Sequence, residues 1–200
     1  MDRPRDPRHV PKSVAWPGAV GHHLAVPPDA RRVRAAEPTD ALAIGLVHVR
    51  SWQAAYRGRF PQDYLDALDA DRRGEGWRRY LEAGPPEGEA LLVVDLDDRV
   101  VGFANVGPSR DDDAGGGGEL RAIYLLPERW GLGDGRALLA AATRALHAHG
   151  FGHATLWVLD GNERARRFYE TAGWAPDGAT KRDVSFGFPI AEVRYRRPLS

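Results

Sequence analysis

Hydrophobic residues recur along this chain with two periods, and the period changes at proline and glycine residues. A period of two predicts strands, and a period near 3.6 predicts helices. The predicted strands are 33–36, 90–95, 100–106, 120–126 and 154–159, with two more inside 179–198. The predicted helices are 39–57, 60–70, 72–83, 135–149 and 162–172. Elements in this order indicate an α/β fold with one sheet covered by helices.

The N-terminal segment shows neither period. Residues 1–38 hold seven prolines, among 15 in the whole chain. We expect residues 1–30 to form a proline-rich, poorly ordered arm, because they lack apolar groups to offset the entropy of ordering. Trp16 and the pair His22 and His23 on this arm could pack on the body or face a partner. The domain is then expected to span residues 31–200.

Composition narrows the classes of function. The 28 basic and 28 acidic side chains of these 200 residues cancel, so no basic field predicts nucleic acid or an anionic membrane as partner. The absence of cysteine excludes disulfides, thiolate metal sites and a cysteine nucleophile. No apolar run approaches the roughly 20 residues of a membrane helix, and no secretory signal is evident, so we expect a cytoplasmic protein. His147, His149 and His153 lack the spacing of metal ligands, and we predict no metal site.

A glycine-rich turn separates the strand that ends near Leu126 from the helix that begins near Gly135. Glycines let the backbone bend tightly and approach a ligand, and free amides at a helix start bind phosphate. Arg136 offers an additional charge. The turn lacks the Gly-Lys-Ser/Thr ending of a Walker loop and the glycine spacing of a dinucleotide fingerprint. Taken alone, it could also be a helix entry without a ligand.

Two motifs in this order resemble the GNAT N-acetyltransferase superfamily. The first is Ile123-Tyr124-Leu125-Leu126-Pro127-Glu128 followed by Trp130-Gly131-Leu132-Gly133-Asp134-Gly135, and the second is Leu156–Leu159, Asn162, Phe168-Tyr169 and Gly173-Trp174. The resemblance implies a single domain with a mixed, mostly antiparallel twisted sheet of six to seven strands and about four helices. It implies transfer of an acetyl group from acetyl-CoA to a primary amine, by direct attack in a ternary complex. The acceptor would be a small molecule, an amino acid or a protein N-terminus.

The resemblance also implies a cofactor site. Pantetheine would pair with the backbone of Ile123, Tyr124 and Leu125, and the pyrophosphate would lie on the amides of Gly131, Leu132, Gly133, Asp134, Gly135 and Arg136, with Asn162 and Tyr169 near the cofactor. Asn162 is also placed to act as a simple N-cap of its helix, and the two roles are compatible. Two residues depart from the family pattern. Trp130 stands where the family often has arginine or glutamine, and Asp134 replaces a usually aliphatic residue. We expect the Asp134 carboxylate to face away, because it would otherwise repel pyrophosphate.

Acetyl transfer needs a neutral amine, donors for the developing oxyanion and a proton for the thiolate. Glu119 begins the cofactor strand and is a candidate base, directly or through water. Strand alternation places it on one face with Arg121, Ile123 and Leu125. The alternative is a solvated glutamate paired with Arg121, with water as the base.

In the family the tyrosine that matches Tyr169 acts as general acid. Its alternative role is that of a half-buried aromatic side chain on an amphipathic helix. The amide of Leu125 or Leu126 would stabilise the oxyanion.

Aromatic residues on the first helix are candidates for substrate binding. His48, Trp52 and Tyr56 recur four apart and therefore share a face. The resemblance implies that such a helix forms a wall of the acceptor cleft, with Trp52 and Tyr56 as contacts. The alternative is packing in the core. A rival function is a non-catalytic acyl-CoA-binding or interaction module. Homodimers are common in the family, but no interface follows from this sequence.

Overall fold

A seven-stranded sheet runs through the centre of the molecule. The computed structural model describes residues 31–184 and 186–200, so the predicted arm at residues 1–30 lies outside the described residues. The strands are β1 (Arg32–Ala35), β2 (Ala90–Leu96), β3 (Arg99–Pro108), β4 (Gly118–Leu125), β5 (His153–Leu159), β6 (Ala175–Asp183) and β7 (Ile190–Pro198). The α-helices are α1 (Ala41–Ala55), α2 (Gln62–Asp66), α3 (Ala70–Ala83), α4 (Asp134–Ala148) and α5 (Glu163–Thr171).

The strand order is β1-β2-β3-β4-β5-β7-β6. Within the described residues β4 and β5 are parallel, and every other neighbouring pair is antiparallel. The predicted mixed, mostly antiparallel sheet of six to seven strands is therefore confirmed. The same residues form five α-helices, one more than the resemblance implies, because the segment after α1 splits into α2 and α3 as its hydrophobic period indicates.

Helices cover both faces of the sheet, and each face has its own apolar core. On one face, which we call the α1 face, Ile44 of α1 belongs to a buried cluster with Val93 and Phe103. On the opposite face, the α4 face, Leu138 of α4 belongs to a cluster with Leu156. This division follows from strand geometry, because successive side chains of a strand point to opposite faces.

The strand β6 begins earlier than predicted. It starts at Ala175, although the predicted tail strands begin at residue 179. Residues 175–179 include Pro176, Asp177 and Gly178, which carry no strand signal in the sequence. Pairing with β7 imposes the extended conformation on them, with an irregular register between Pro176 and Thr180.

An extra residue in β4 changes which of its side chains share a face. The pairing of β3 with β4 slips by one residue at Arg121, which is a bulge in that register. Leu120 consequently packs in the same core as Ile123, on the α4 face, and Glu119 lies on the α1 face. The prediction that Glu119 shares a face with Ile123 and Leu125 is therefore wrong. Arg121 stays on the Glu119 side, because its guanidinium lies where a Cβ atom on Gly107, the β3 partner of Glu119, would project.

Candidate active site

A cleft opens where β4 and β5 separate. The two parallel strands pair at Gly118 with Ala154 and at Glu119 with Thr155, and then diverge. The edge of β4 that faces β5 beyond this point has no strand partner among the described residues. A cavity of about 1200 Å³ occupies the gap and is lined from both faces of the sheet. An extended ligand can therefore pair with this edge as an added strand.

The backbone groups of alternate β4 residues face this gap. The Leu126 amide donates to the Val101 carbonyl at 2.9 Å and therefore faces β3. Because directions alternate along an antiparallel pair, Tyr124 turns its N–H and C=O groups to β3, and Ile123 and Leu125 turn theirs to the gap. The Leu126 amide is thus already used, and its proposed role toward the oxyanion is wrong. The Leu125 amide keeps that role as a prediction.

The glycine turn (residues 131–135) leads from β4 into α4. Gly131 and Gly133 have φ angles of 83° and 91°, a region that glycine adopts without steric cost. The amide of Ala137 makes the first bond of the helix, to the Gly133 carbonyl at 3.1 Å. The amides of residues 134–136 precede this bond and lie at the positive end of the helix dipole. Such an arrangement fits a pyrophosphate.

Close packing requires a small residue at Gly135. A Cβ atom there would lie 2.9 Å from Cδ1 of Leu125, on the strand beside the turn. Gly131, Gly133, Gly135 and Arg136 line the cleft. Leu132 has 55 % of its surface exposed and is not part of the lining. Any contact of Leu132 with the cofactor therefore rests on its backbone.

The Asp134 side chain is buried outside the lining of the cleft, as expected. Its carboxylate accepts from Nε of Arg31 at 2.5 Å and from Nε of Arg129 at 2.7 Å. Two guanidinium groups thus neutralise a charge that would otherwise oppose an anion at the helix start.

Trp130 meets an arginine that the sequence did not indicate. The guanidinium carbon of Arg164, from α5, lies 4.3 Å from the centroid of the Trp130 ring, and both side chains line the cleft. The indole N–H of Trp130 donates to the Leu125 carbonyl at 3.1 Å. A cation from α5 therefore stands beside the position where the family often has arginine.

Helix α5 brings two predicted residues to the cleft. The Asn162 side chain accepts from the Ala165 amide at 3.2 Å and caps the helix, as predicted. Tyr169 is 8 % exposed and lines the cleft. Burial and the neighbouring Tyr124 raise the pKa of the Tyr169 phenol well above its ordinary value. This hydroxyl keeps its proton at neutral pH and is available as a donor.

Glu119 lines the same cleft but is tightly held. It is 2 % exposed, and its carboxylate accepts from the backbone amide, Nε and Nη2 of Arg110 at 3.1, 2.9 and 2.5 Å. Burial alone would raise the pKa of Glu119, but the bonds from Arg110 outweigh it and hold that pKa below its ordinary value. Glu119 is therefore neither solvated nor paired with Arg121, which binds Glu89.

The two candidate substrate contacts are Trp52 of α1 and Tyr56, which directly follows that helix. Both pack against neighbouring side chains, and both line the cleft. The rings of Trp52 and Tyr56 meet edge to face at 5.2 Å and belong to an apolar cluster. Both also form part of the cleft lining. The two alternatives raised by the sequence, core packing and a cleft wall, are therefore compatible.

His48 shares their helix face but does not line this cleft. Its ring stacks on Tyr124 at 5.1 Å. Burial, with a smaller contribution from Arg73, lowers the pKa of His48 to about 3, so the ring is neutral at physiological pH.

Other cleft residues come from the C-terminal strands. The cleft is also lined by Trp157 of β5, Lys181 of β6, Phe186 and Glu192 of β7. None of them was predicted from the sequence as a site residue. Polar and apolar residues alternate in 192–196, which predicts that Glu192 lies on one face of a strand. This pattern does not indicate which residues that face contacts. None of the helices in the described ranges has the length and apolar character to cross a membrane.

Comparison with known proteins identifies the family. The model of the acetyltransferase (GNAT) family matches residues 49–174. The chain is 37 % identical over 164 residues to the N-acetyltransferase YuaI of Bacillus subtilis (strain 168), covering 82 % of this chain and 88 % of that protein. Its fold is similar to that of the PaiA N-acetyltransferase of Thermoplasma acidophilum in complex with coenzyme A, with a TM-score of 0.69, 19 % identity, and 84 % and 99 % of the two chains covered. It is also similar to YncA of Salmonella typhimurium with its cofactor acetyl-CoA, with a TM-score of 0.63, 24 % identity, and 86 % and 95 % covered.

The chain belongs to the GNAT acetyltransferase family. It is an N-acetyltransferase that uses acetyl-CoA as co-substrate, which confirms the resemblance drawn from the two motifs. The rival interpretation as a non-catalytic binding module is set aside, because the matched family is one of enzymes.

Proposed function

We propose that this enzyme transfers the acetyl group of acetyl-CoA directly to a primary amine while both substrates occupy the cleft. The observation that carries the proposal is the convergence of the unpaired β4 edge, the free amides of α4 and the Tyr169 side chain on one cavity. The chain has no cysteine thiol that could carry the acetyl group between two half-reactions. Direct attack by the amine is the simplest route consistent with this composition.

The described residues fit acetyl-CoA. In this proposal the backbone of Ile123 and Leu125 pairs with the pantetheine amides, and the amides of residues 134–136 hold the pyrophosphate. Arg136 and Arg164, both in the cleft lining, add positive charge near these phosphates. Asn162 is another predicted contact, and its side chain also caps α5. The predicted pairing of pantetheine with the Tyr124 backbone is left out, because that backbone faces β3.

Bond making and proton transfer are divided among few groups. The amine nitrogen forms the new C–N bond and the C–S bond breaks, while the Leu125 amide stabilises the oxyanion. Tyr169 donates its proton to the departing thiolate and regains one from solvent. We assign the amine proton to a water molecule that releases it to solvent, because the ion pair with Arg110 makes Glu119 a weak base.

The amine acceptor is proposed only as a class, a small-molecule amine or a peptide N-terminus. The cytoplasmic location and a homodimer stay predictions from the sequence and the family resemblance.

The substitution Tyr169→Phe tests the catalytic assignment. It removes the hydroxyl and keeps the buried ring, so kcat is expected to fall by about 100-fold, in the range of general acid catalysis. Release of CoA thiol in the presence of an amine measures kcat, and calorimetric titration with CoA is expected to show unchanged affinity.

The control is Tyr64→Phe, because Tyr64 packs behind the cleft and does not line it. This variant is expected to keep the wild-type kcat. Wild-type turnover in Tyr169→Phe would remove Tyr169 from the mechanism.

A further inference from the structure

An aromatic wall covers the cleft on the α1 face. We give this name to Trp52, Tyr56, Phe60 and Phe186, which line the cleft. Tyr56 stacks on Phe60 at 4.5 Å, and Trp52 contacts Phe186 at 5.5 Å between ring centroids. Three separate segments supply these rings, namely α1, the chain after it and the connection from β6 to β7. The result is a continuous apolar surface on the α1 face, whereas the glycine turn leads into the helix of the opposite face.

One ion pair lies in the same cleft with a loose contact. Lys181 and Glu192 are direct partners in the β6–β7 register, and Nζ of Lys181 lies 3.4 Å from Oε2 of Glu192. Lys181 also lies over the Trp157 ring, with Nζ 4.2 Å from its centroid. Lys181 can therefore remain over the Trp157 ring when Glu192 binds a different cation.

Three other carboxylates line the cleft. Asp183 has an interaction of its own, and Glu119 and Asp111 are held more closely than Glu192. Arg110 binds Glu119 through a contact of 2.5 Å. Asp111 accepts from Nε1 of Trp157 at 2.9 Å and also contacts Arg194. Glu192 is 18 % exposed at its side chain, which leaves it open to a ligand.

The negative charge of Glu192 affects the titration of two phenol groups of the cleft. After the larger effect of burial, it contributes to raising the pKa of Tyr56 and of Tyr124. Glu192 lines the same cleft as Tyr56 and Tyr169, so an ammonium group bound by Glu192 would lie in one cavity with the wall and the proposed general acid.

These features select among amines. A small hydrophilic amine would leave the wall in contact with water, and a polyamine would need several available carboxylates. Building on the proposed acetyl transfer, we propose that the acceptor is a primary amine on an aromatic or large aliphatic body. Glu192 is the counter-ion of its ammonium group, which releases one proton to solvent before the neutral nitrogen attacks. The body packs on the aromatic wall, where aromatic rings gain both buried area and ring contacts.

The test compares 2-phenylethylamine with ethylamine and spermidine as acceptors for acetyl-CoA. We expect kcat/KM for 2-phenylethylamine to exceed that for ethylamine by at least about 30-fold, since even one methylene group in a hydrophobic pocket is discriminated by roughly 10–200-fold. Equal or better turnover of ethylamine or spermidine would overturn the proposal and leave acetyl transfer standing.

Phe186 and Phe188 form a matched pair for this test. Both lie between β6 and β7 in the same aromatic cluster, but Phe186 lines the cleft and Phe188 does not. Phe186→Ala is expected to reduce the preference for 2-phenylethylamine by at least about fivefold, and Phe188→Ala to leave it unchanged. If Phe186→Ala fails to fold, Tyr56→Leu replaces it with the same expected result. Equal loss of preference in Phe186→Ala and Phe188→Ala would contradict the wall.

The counter-ion is tested with Glu192→Gln. This variant is expected to raise KM for 2-phenylethylamine and to change kcat little, because the contact is one of binding. Glu75→Gln on the exposed surface of α3, where Glu75 pairs with Arg78, is the charge-matched control and is expected to keep the wild-type KM. An unchanged KM in Glu192→Gln would remove Glu192 from the proposal.

A binding measurement separates failure of the subsite from failure of the enzyme function. Calorimetric titration of 2-phenylethylamine into the CoA-bound protein requires no chemistry. Binding that weakens in Phe186→Ala, without acetyl transfer to any amine, would support the subsite and contradict the proposed function. Absence of binding would overturn the subsite regardless of turnover.

Discussion

The two sides of the cleft are built in different ways. The cofactor side consists of the β4 edge, the glycine turn and the start of α4, which follow one another within residues 118–136. The ligand contacts proposed for this side are mainly backbone amides and carbonyls. The acceptor side collects Trp52, Phe60, Phe186 and Glu192 from two distant stretches of the chain, residues 52–60 and 186–192, and its proposed contacts are side chains.

This difference separates what is common to the family from what is particular to this protein. A backbone cradle needs only certain φ angles and small residues, so it tolerates Trp130 and Asp134 in positions where other residues are usual. A side-chain wall changes with each substitution. The acceptor side is therefore where specificity is expected to vary, and three variants test whether the sides are independent.

The largest expected effect concerns the packing that supports the acceptor side. A Cβ atom at Gly45 of α1 would overlap the Ala70 carbonyl oxygen and the backbone of Gly74 in α3. Gly45→Ala is therefore expected to lower the free energy of unfolding by about 3 kcal/mol, measured by urea denaturation. The folded fraction should bind CoA with wild-type affinity.

The control for this variant is Gly76→Ala, since a Cβ atom at this α3 position meets nothing within 4 Å. It is expected to raise the free energy of unfolding by about 0.5 kcal/mol through helix propensity. Loss of CoA affinity in folded Gly45→Ala would show that the two sides are coupled.

A substitution on the cofactor side, at the glycine turn, is expected to weaken CoA binding as well as stability. Gly133 and Gly150 flank the two ends of α4 with φ angles of 91° and 88°. Alanine at either position is expected to cost about 1 kcal/mol of folding stability, because the left-handed conformation strains a side chain. Gly133→Ala should also weaken CoA binding by about tenfold, or 1.4 kcal/mol, because the turn aims the free amides. Equal CoA affinities of the Gly133 and Gly150 variants would contradict the cradle.

The smallest expected effect lies at Glu119, where β4 and β5 part. Its pKa is lower in the folded protein than in the unfolded chain, so its ion pair stabilises the fold above the unfolded pKa of about 4.3. This stability is lost as pH falls through the lower, folded pKa. Glu119→Gln is therefore expected to be about 1 kcal/mol less stable than the wild type at pH 7, with the difference closing below about pH 4.

Thermal or urea unfolding at several pH values checks this result. A difference that persists unchanged at pH 3 would show that the Glu119 carboxylate does not stabilise the fold through its charge.

The sequence predicted most of the cofactor side. The order of elements and the Asn162 cap follow from local patterns, and the sheet of six to seven strands follows from the family resemblance; the structure confirms all three. It failed at Glu119 and Leu126. Alternation was counted across Arg121, where a bulge shifts the faces, and the Leu126 amide proved to be bound by Val101 of a neighbouring strand. Both errors arise from pairing between strands, which no single segment specifies.

By itself the sequence determined the elements, the glycine turn and the family, because each depends on residues close together in the chain. Steric limits on φ and the periods of strands and helices act over a few residues and leave a visible pattern. Only the tertiary structure decided that Arg164 would lie on Trp130, that Phe186 would contact Trp52, and that Glu192 would line the same cleft. Those contacts depend on the twist of the sheet and on the position of β7 within it. Burial of apolar area stabilises them but leaves no local pattern in the sequence.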